Sequence, residues 1–204
     1  MLDPHATVPD LQAQRRQLRR VLRQRRRNLD PARQRQAARA VASHLQRQPE
    51  LIRARRVAAY LACDGELDPA PLLTRIAARG CRIYFPVIAD DSPLGVRFLP
   101  APSGRGGWRR NRFGIREPAA GRALPAWQLD VLLMPLVGFD RDGHRLGMGG
   151  GYYDRLLADL ARRVRRPRCI GLAHGCQQVE SLPVADWDRN VEAIVTERGV
   201  IRTA

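Results

Sequence analysis

The sequence contains no lysine, since all 36 of its basic residues are arginine. A Walker A loop needs a lysine to reach the nucleotide phosphates, so the sequence excludes this class of nucleotide site. Chemistry on phosphate would therefore have to use arginine, backbone amides and a metal ion. Arginine suits this work, because its planar guanidinium binds phosphate or carboxylate oxygens in pairs and stays protonated.

Long apolar runs are also missing from the sequence. No segment approaches the roughly 20 apolar residues that a membrane-spanning helix needs, and the first 50 residues lack the apolar core of a secretory signal. The arginine-rich, helical character of these residues leaves a mitochondrial transit segment open as an alternative. We expect a cytoplasmic protein with no membrane partner.

The cysteines and histidines do not have the spacing of a zinc site. The four cysteines form no C-x-x-C pair, and the four histidines do not alternate with them at ligand spacing. Reduced and mostly buried thiols are therefore expected. The cysteines are Cys63, Cys81, Cys169 and Cys176.

The composition is that of a globular protein with an excess of positive charge. Hydrophobic residues make up 44% and charged residues 27% of 204 residues, which predicts a single domain over 1–204 with a loose terminus over residues 1–10. The net charge of +16 makes a nucleic-acid-binding protein one alternative. Aromatic residues are only 5%, however, and a solvated helix face explains the main arginine cluster equally well. That cluster is Arg15, Arg16, Arg19, Arg20, Arg23, Arg25, Arg26 and Arg27.

Apolar patterning predicts an α/β fold. Leucines at helical spacing indicate a first helix over about 11–29, and Asp30 followed by Pro31 is typical of a capped start to a second. An apolar run over 56–62, a helix over 69–78 and a strand over 81–87 then give the strand–helix–strand order of a parallel βαβ unit. Later strands are predicted over 131–136, 169–173 and 191–196. We expect a mostly parallel or mixed sheet flanked by helices, after an N-terminal helical hairpin.

A glycine-rich loop over 143–151 is the most informative segment. It follows an apolar strand, it has four glycines in the five positions 147–151, and it leads into a predicted helix at Tyr152. Such a loop lets backbone amides approach an anion, and the helix N-terminus favours negative charge. Arg145 at its entrance and Asp154 in the first helical turn indicate phosphate and Mg²⁺ binding, although a purely structural turn is an alternative. The dinucleotide fingerprint G-x-G-x-x-G fails, because Tyr152 stands at its third glycine.

The same segment resembles a known family signature. The runs Met134 to Asp140, Gly143 to Gly147 and Gly149 to Asp154 resemble the motifs of the 5-formyltetrahydrofolate cyclo-ligase family. Further pieces follow in the family's order, and together they cover about residues 11–198, which argues against a removable leader. These pieces are Arg15 to Arg19, Tyr60-Leu61 with Glu66, Phe113 to Pro118, Gly171-Leu172-Ala173 with Gln177, and Leu182-Pro183 with Asp188.

This resemblance implies a compact three-layer α/β sandwich and an enzyme of one-carbon metabolism. The family is a Mg²⁺- and ATP-dependent ligase that converts 5-formyltetrahydrofolate to 5,10-methenyltetrahydrofolate and releases ADP and phosphate. The implied partners are therefore small molecules, a reduced folate and ATP, and we expect a monomer. Another ATP-using α/β enzyme that shares the loop is the remaining alternative.

The resemblance also implies roles for individual residues. Arg145 and Tyr152 are the expected catalytic residues, and Asp154 and Asp188 the expected magnesium ligands. The expected ATP contacts are Arg15, Arg16, Gln17, Leu18, Arg19, Arg145, Leu146, Gly147, Met148, Gly149, Gly150, Gly151, Tyr152 and Tyr153. The expected folate contacts are Arg19, Leu61, Glu66, Met148, Gly149, Gly150, Gly151 and Tyr152.

Some of these residues also have simpler explanations. Asp154 could merely favour the helix N-terminus, Asp188 could be a solvated surface acid, and Glu66 could be a turn residue. Arg15 stands where the family usually has lysine, so the charge is kept but not the compact ammonium group. Met148 stands where relatives are often more polar.

Overall fold

The computed structural model describes residues 8–185 and 188–203, except for the side chains of Val8, Pro9 and Arg105. Its first helix begins at Val8, inside the segment expected to be a loose terminus, whose residues 1–7 lie outside the described part. Within the described ranges, none of the helices has both the length and the apolar character needed to cross a membrane. The α-helices are α1 Val8–Arg27, α2 Pro31–Leu45, α3 Pro49–Ile52, α4 Ala70–Ala77 and α5 Tyr152–Ala161.

A seven-stranded mixed sheet forms the centre of the molecule, in the order β11-β10-β9-β6-β1-β2-β3. The strands from β10 to β2 run parallel, whereas the edge strands β11 and β3 are antiparallel to their neighbours. The remaining strands form two short ribbons, β4 with β5 and β7 with β8. The strands are β1 Arg56–Ala58, β2 Arg82–Ile88, β3 Val96–Pro100, β4 Trp108–Arg110, β5 Arg116–Pro118, β6 Val131–Pro135, β7 Gly138–Phe139, β8 Arg145–Leu146, β9 Arg168–Leu172, β10 Ala193–Thr196 and β11 Gly199–Arg202.

Helices cover both faces of this sheet. Successive residues of β6 point to opposite faces, as the two-residue period of a strand requires. Val131 and Leu133 join the core with α2, α3 and α4, whereas Leu132 and Met134 join the core with α5. These residues are at most 1% exposed, so β6 reads as a continuous apolar run because both its faces are buried. The expected three-layer α/β sandwich is confirmed.

The two N-terminal helices follow one another as predicted, but they pack on different partners. Asp30 caps α2 by accepting a hydrogen bond from the amide of Arg33 at 2.9 Å, and Pro31 takes the first helical position. α2 packs on α4 and β10, while α1 packs on β7 and on a 3₁₀ helix at Gly175–Gln177. α1 therefore lies against the segments that follow β6 and β9.

The apolar run over 56–62 forms a strand only as far as Ala58. Beyond this point Ala59 and Tyr60 remain buried, and the Tyr60 hydroxyl donates to the carbonyl of Leu67 at 2.5 Å. The apolar pattern predicts burial correctly here but not strand pairing. The carboxyl ends of β1, β6 and β9 then open into three long connections on one edge of the sheet, the usual place for ligand sites in α/β folds.

Candidate active site

One side of α1 carries arginines into the protein. Arg15, Arg19, Leu22 and Arg26 recur at spacings of three and four residues, which places them on one helix face. Arg15 and Arg26 are buried and Arg19 is half-buried. Arg16 and Gln17, both expected ATP contacts, are exposed, and their helical positions lie away from this face.

The glycine-rich loop closes over Arg19. The Arg19 Nε donates to the carbonyl of Gly147 at 2.8 Å, which joins two segments that are 128 positions apart. Gly149 has a φ of +102°, and a Cβ there would lie 3.6 Å from the carbon of the Arg19 guanidinium. Met148, Gly149 and Gly150 are exposed. The loop therefore presents backbone directly beside a guanidinium, at the start of α5.

Arg145 links this loop to the first turn of α5. Its side chain is buried, its Nε donates to the carbonyl of Arg189 at 3.0 Å, and its Nη2 donates to Oδ1 of Asp154. Asp154 remains 28% exposed. Among the described residues, only the first of its two oxygens accepts a hydrogen bond. Asp154 therefore has one oxygen free for another ligand.

Arg15 holds Asp188 in the same region. The guanidinium contacts both carboxylate oxygens, with Nη2 to Oδ1 at 2.9 Å, and Nη1 also donates to the carbonyl of Pro183 at 3.2 Å. Burial alone would raise the pKa of Asp188, but the hydrogen bonds from Arg15 and from the Ala185 amide outweigh it and lower the pKa. Asp188 is thus an ionised carboxylate fixed against α1.

The carboxylates of Asp154 and Asp188 are ligands of the kind that Mg²⁺ prefers. Magnesium prefers oxygen ligands and is usually held by one or two carboxylates together with substrate phosphates. Asp154 offers its unbonded oxygen. Asp188 offers Oδ1, which accepts one hydrogen bond from Arg15 and keeps its second lone pair for another ligand. Both therefore fit the role, with Asp154 the more accessible of the two.

A second acidic group, formed by Asp140, Asp142 and His144, has the spacing of a metal site but another explanation. Asp140 is fully buried, and its oxygens accept hydrogen bonds from the amides of Asp142, His144 and Leu182 and contact the His144 ring at 2.9 Å. These partners already occupy the carboxylate. The group stabilises the β7–β8 turn and its contact with the segment after β9.

The loop over 63–66 approaches the C-terminal end of α1. Asp64 has a φ of +53° and accepts hydrogen bonds from Arg23, Arg26 and Arg27. The next residue is glycine with a φ of +74°, and a Cβ there would lie 3.2 Å from the Arg26 carbonyl oxygen. Burial opposes ionisation of Asp64, but the three guanidinium groups outweigh it and lower its pKa to about 2.

We expect Asp64→Asn to destabilise the protein at neutral pH and to do so less in acid. The pKa of Asp64 falls from an ordinary value of 3.8 to about 2 on folding. Its stabilisation is therefore complete above pH 4 and is lost as the pH falls through 2, and it amounts to about 2 kcal/mol. Urea unfolding of both proteins between pH 2 and pH 7 measures this difference. A difference that stays constant to pH 2 would contradict the ion-pair role of Asp64.

Glu66 is the buried member of the same loop. Its side chain is 6% exposed, its Oε2 accepts from the amide of Cys63 at 3.2 Å, and its Oε1 lies 3.6 Å from Nη2 of Arg26. Burial raises the pKa of Glu66, and the Arg26 charge offsets only part of this effect. Leu61, in the same connection, is half-buried against the core.

The two tyrosines at the start of α5 have different surroundings. The Tyr152 hydroxyl accepts from Nη2 of Arg112 at 2.8 Å, and the Arg155 guanidinium lies 5.1 Å from the centre of its ring. Tyr153 instead packs against the core, and burial, together with the Glu66 charge, raises its pKa. In the described residues Tyr152 therefore bonds to Arg112 rather than to Arg145.

Comparison with known proteins places this geometry in a family. The sequence profile of the 5-formyltetrahydrofolate cyclo-ligase family matches residues 11–197. The chain belongs to the 5-formyltetrahydrofolate cyclo-ligase family. The 5-formyltetrahydrofolate cyclo-ligase of Escherichia coli K12 is 41% identical over 178 residues, which cover 86% of this chain and 96% of that protein. The cyclo-ligase of Haemophilus influenzae is 38% identical over 85% of this chain and 92% of its own length.

A solved structure agrees with these cyclo-ligase relatives. The NMR structure of Aquifex aeolicus 5,10-methenyltetrahydrofolate synthetase superposes with a TM-score of 0.78 at 31% identity and covers 92% of both chains. The family resemblance that the sequence motifs indicate is therefore confirmed. The individual cyclo-ligase site residues stay predictions.

Sequence reasoning missed several residues that hold the candidate site together. Arg26 and Asp64 hold the loop over 63–66, and Arg112 holds Tyr152. Arg26 could have been found from the sequence, because it continues the helical spacing of Arg15, Arg19 and Leu22. Leu18 and Leu146 lie with Leu22 in a small apolar cluster, where their contribution is packing beneath the loop.

Proposed function

We propose that this chain converts 5-formyltetrahydrofolate and ATP to 5,10-methenyltetrahydrofolate, ADP and phosphate at the carboxyl edge of its sheet. The main support is the contact between the Arg19 guanidinium and the Gly147 carbonyl. This contact brings together the two segments expected to bind ATP, and the ion pairs of Arg15 and Arg145 add both expected metal ligands to them.

The chemistry requires an anionic leaving group to be created and shielded. The formyl oxygen attacks the γ-phosphorus of ATP, the bond to ADP breaks, and the oxygen becomes part of a phosphate ester. The neighbouring amine then attacks the formyl carbon, the carbon–oxygen bond breaks, and phosphate leaves as the amine loses its proton. Catalysis of phosphoryl transfer depends mainly on positioning and charge neutralisation.

The arginines supply that neutralisation. Arg145 would face the phosphoryl group while its Nε remains on the Arg189 carbonyl, so that its orientation is set before the substrate binds. Arg15 and Arg19 would bind the other phosphates, and Arg19 would also reach the folate, with the exposed amides of 148–150 beside them. Mg²⁺, when bound, would neutralise phosphate charge, and Asp154 and Asp188 would hold it.

The folate would lie toward the loop over 61–66. Glu66 would accept hydrogen bonds from the donor edge of the pterin, and Leu61 would pack against the ring. Met148 is 51% exposed and lies 4.0 Å from Arg26 through its sulfur, so it stands between the two substrate loops. Tyr152 would enclose the site on the side of Arg112, and Tyr153 on the side of the hydrophobic core.

We also place this activity in the cytoplasm, in a monomer. The four cysteines are free thiols, the state expected in a reducing compartment. Only Cys169 is buried and the other three are partly exposed, so the expectation of mostly buried thiols is wrong.

The nucleic-acid alternative is weakened by the pairing of the arginine cluster. Five of its eight members, Arg15, Arg19, Arg23, Arg26 and Arg27, bind carboxylates or a carbonyl of the protein itself. Arg15, Arg19, Arg23 and Arg26 are also at least half-buried, so half of the cluster is missing from the exposed helix surface that a nucleic-acid backbone would contact. Filter binding of nucleic acid across a salt series tests what remains, and retention well above physiological salt would favour the alternative.

The direct test is the absorbance rise of methenyltetrahydrofolate after 5-formyltetrahydrofolate is mixed with the purified protein. We expect a rise with Mg²⁺ and ATP together and none when either is omitted or when EDTA is present. A folded protein, checked by circular dichroism, that gives no rise under any of these conditions would overturn the proposed activity while leaving the family fold intact.

A further inference from the structure

Arg26 is the most deeply buried charged side chain on α1. It is 0% exposed, and its guanidinium binds three separate segments of the chain. Nε donates to the Asp64 carbonyl at 2.9 Å, Nη2 to the Asp64 carboxylate at 2.9 Å, and Nη1 to the Leu136 carbonyl at 3.3 Å. Nη2 also lies 3.6 Å from Glu66 and 4.0 Å from the sulfur of Met148.

Holding Asp64 does not by itself explain this arrangement. Arg23 and Arg27 already bind the Asp64 carboxylate from more exposed positions, with side chains 35% and 46% exposed. A buried cation costs several kcal/mol of solvation unless its partners are well placed. Of these three arginines, only Arg26 has contacts with Glu66, with the end of β6 and with the glycine-rich loop among the described residues.

We propose that Arg26 is a positioning residue, which fixes the Glu66 carboxylate for the pterin and keeps the loop over 63–66 in register with the glycine-rich loop. This inference rests on the proposed function, since Glu66 is a folate contact only if the substrate is a folate. In this role Arg26 acts through Glu66 and the loop over 63–66 and does not itself contact ATP or the reacting atoms.

The surroundings of Glu66 show why a cation is needed there. The charged and titratable groups with the largest effects on it are Arg26, Cys63 and Asp64, and it acts in turn on the phenols of Tyr60 and Tyr153. Arg26 is the one cation among them. Without it, a buried Glu66 would face an anionic Asp64 and two phenols, and both burial and repulsion would favour its protonated form. A protonated Glu66 has less capacity to accept hydrogen bonds from a pterin.

The test compares Arg26→Met with Arg23→Met. Each variant removes one guanidinium from Asp64 and leaves two others, so Asp64 remains paired in both. For Arg26→Met we expect the KM for 5-formyltetrahydrofolate to rise at least about tenfold and the KM for ATP to change less than about twofold. The acidic limb of the kcat/KM profile for the folate should move to higher pH. Arg23→Met should leave both KM values and the pH profile near those of the wild type.

Three further experiments distinguish the possible outcomes. Arg26→Lys retains a charge without the planar fork, so it should recover the pH profile but only part of the folate KM. Direct titration of 5-formyltetrahydrofolate into each protein gives a Kd that does not depend on turnover, and this Kd should follow the same order. Thermal unfolding of each variant confirms that it is folded.

Failure of the inference differs from failure of the proposed function. If the wild type is active and Arg26→Met matches Arg23→Met, or raises the two KM values equally, Arg26 is a structural residue and only this inference is overturned. If the wild type neither turns over nor binds the folate, both are overturned. If it binds without turnover, the order of the Kd values alone decides the role of Arg26.

Discussion

Arg145→Ala should lower kcat by about 10²- to 10³-fold. The side chain is 4% exposed and is oriented by the Arg189 carbonyl and by Asp154, so in the proposed reaction its charge would be preorganised for the phosphoryl group before the substrate binds. Loss of one preorganised donor of this kind typically costs that much in turnover. Steady-state rates of methenyltetrahydrofolate formation at saturating Mg²⁺ and ATP measure the effect.

The matched control for this variant is Arg163→Ala. Arg163 is also an arginine paired with an aspartate, Asp159, but it lies beyond the far end of α5 and is 42% exposed. It should keep full turnover. A full-rate Arg145→Ala protein would show that Arg145 only links β8 to α5. Arg145→Lys should regain little of the rate, because one ammonium cannot reproduce a fork that contacts two different segments.

Asp154→Asn should lower turnover by about 100-fold and raise the Mg²⁺ concentration needed for half-maximal rate. Asparagine has nearly the same shape, and its carbonyl oxygen still accepts from Arg145, so the fold should be retained. What it loses is the anionic oxygen that Arg145 leaves free. A titration of rate against Mg²⁺ at fixed ATP separates this effect from a general loss of activity.

Asp159→Asn on the same helix is the control for Asp154→Asn. Asp159 carries the same charge change but pairs with Arg163 at the other end of α5, so its Mg²⁺ dependence should equal that of the wild type. If Asp154→Asn also has the wild-type rate at limiting Mg²⁺, Asp154 is not a metal ligand. A loss of rate without any change in Mg²⁺ requirement would mean that Asp154 acts only by orienting Arg145.

Contiguous features of the site could be predicted from the sequence, because their physics is local. Glycines, an arginine and an aspartate around the start of one helix form a recognisable pattern, and the capping of α2 by Asp30 follows from two adjacent residues. The apolar runs likewise predicted the central strands. Only Arg56–Ala58 of the predicted strand over 56–62 forms a strand, because burial alone does not distinguish a strand from a buried loop.

The pairing of distant charges could not be predicted in the same way. An arginine in a helix with so many others gives no sign of whether it faces solvent or a carboxylate, and Arg16 and Arg15 differ by a single position. Arg15 binds Asp188 and Arg26 binds Asp64 only because the fold brings their segments together. The short strands β4, β5 and β11 were missed because three or four residues are too few to show a two-residue period.

The ion pair between Arg15 and Asp188 joins positions that are 173 apart in the sequence. During synthesis α1 leaves the ribosome long before Asp188 has been added, so Arg15 stays solvated until the connection between β9 and β10 has been made. Contacts of such long range form late in folding. The proposed nucleotide-binding edge is therefore completed only after residue 188 has been synthesised, and a chain that stops before residue 188 would carry the glycine-rich loop without the carboxylate that holds α1 beside it.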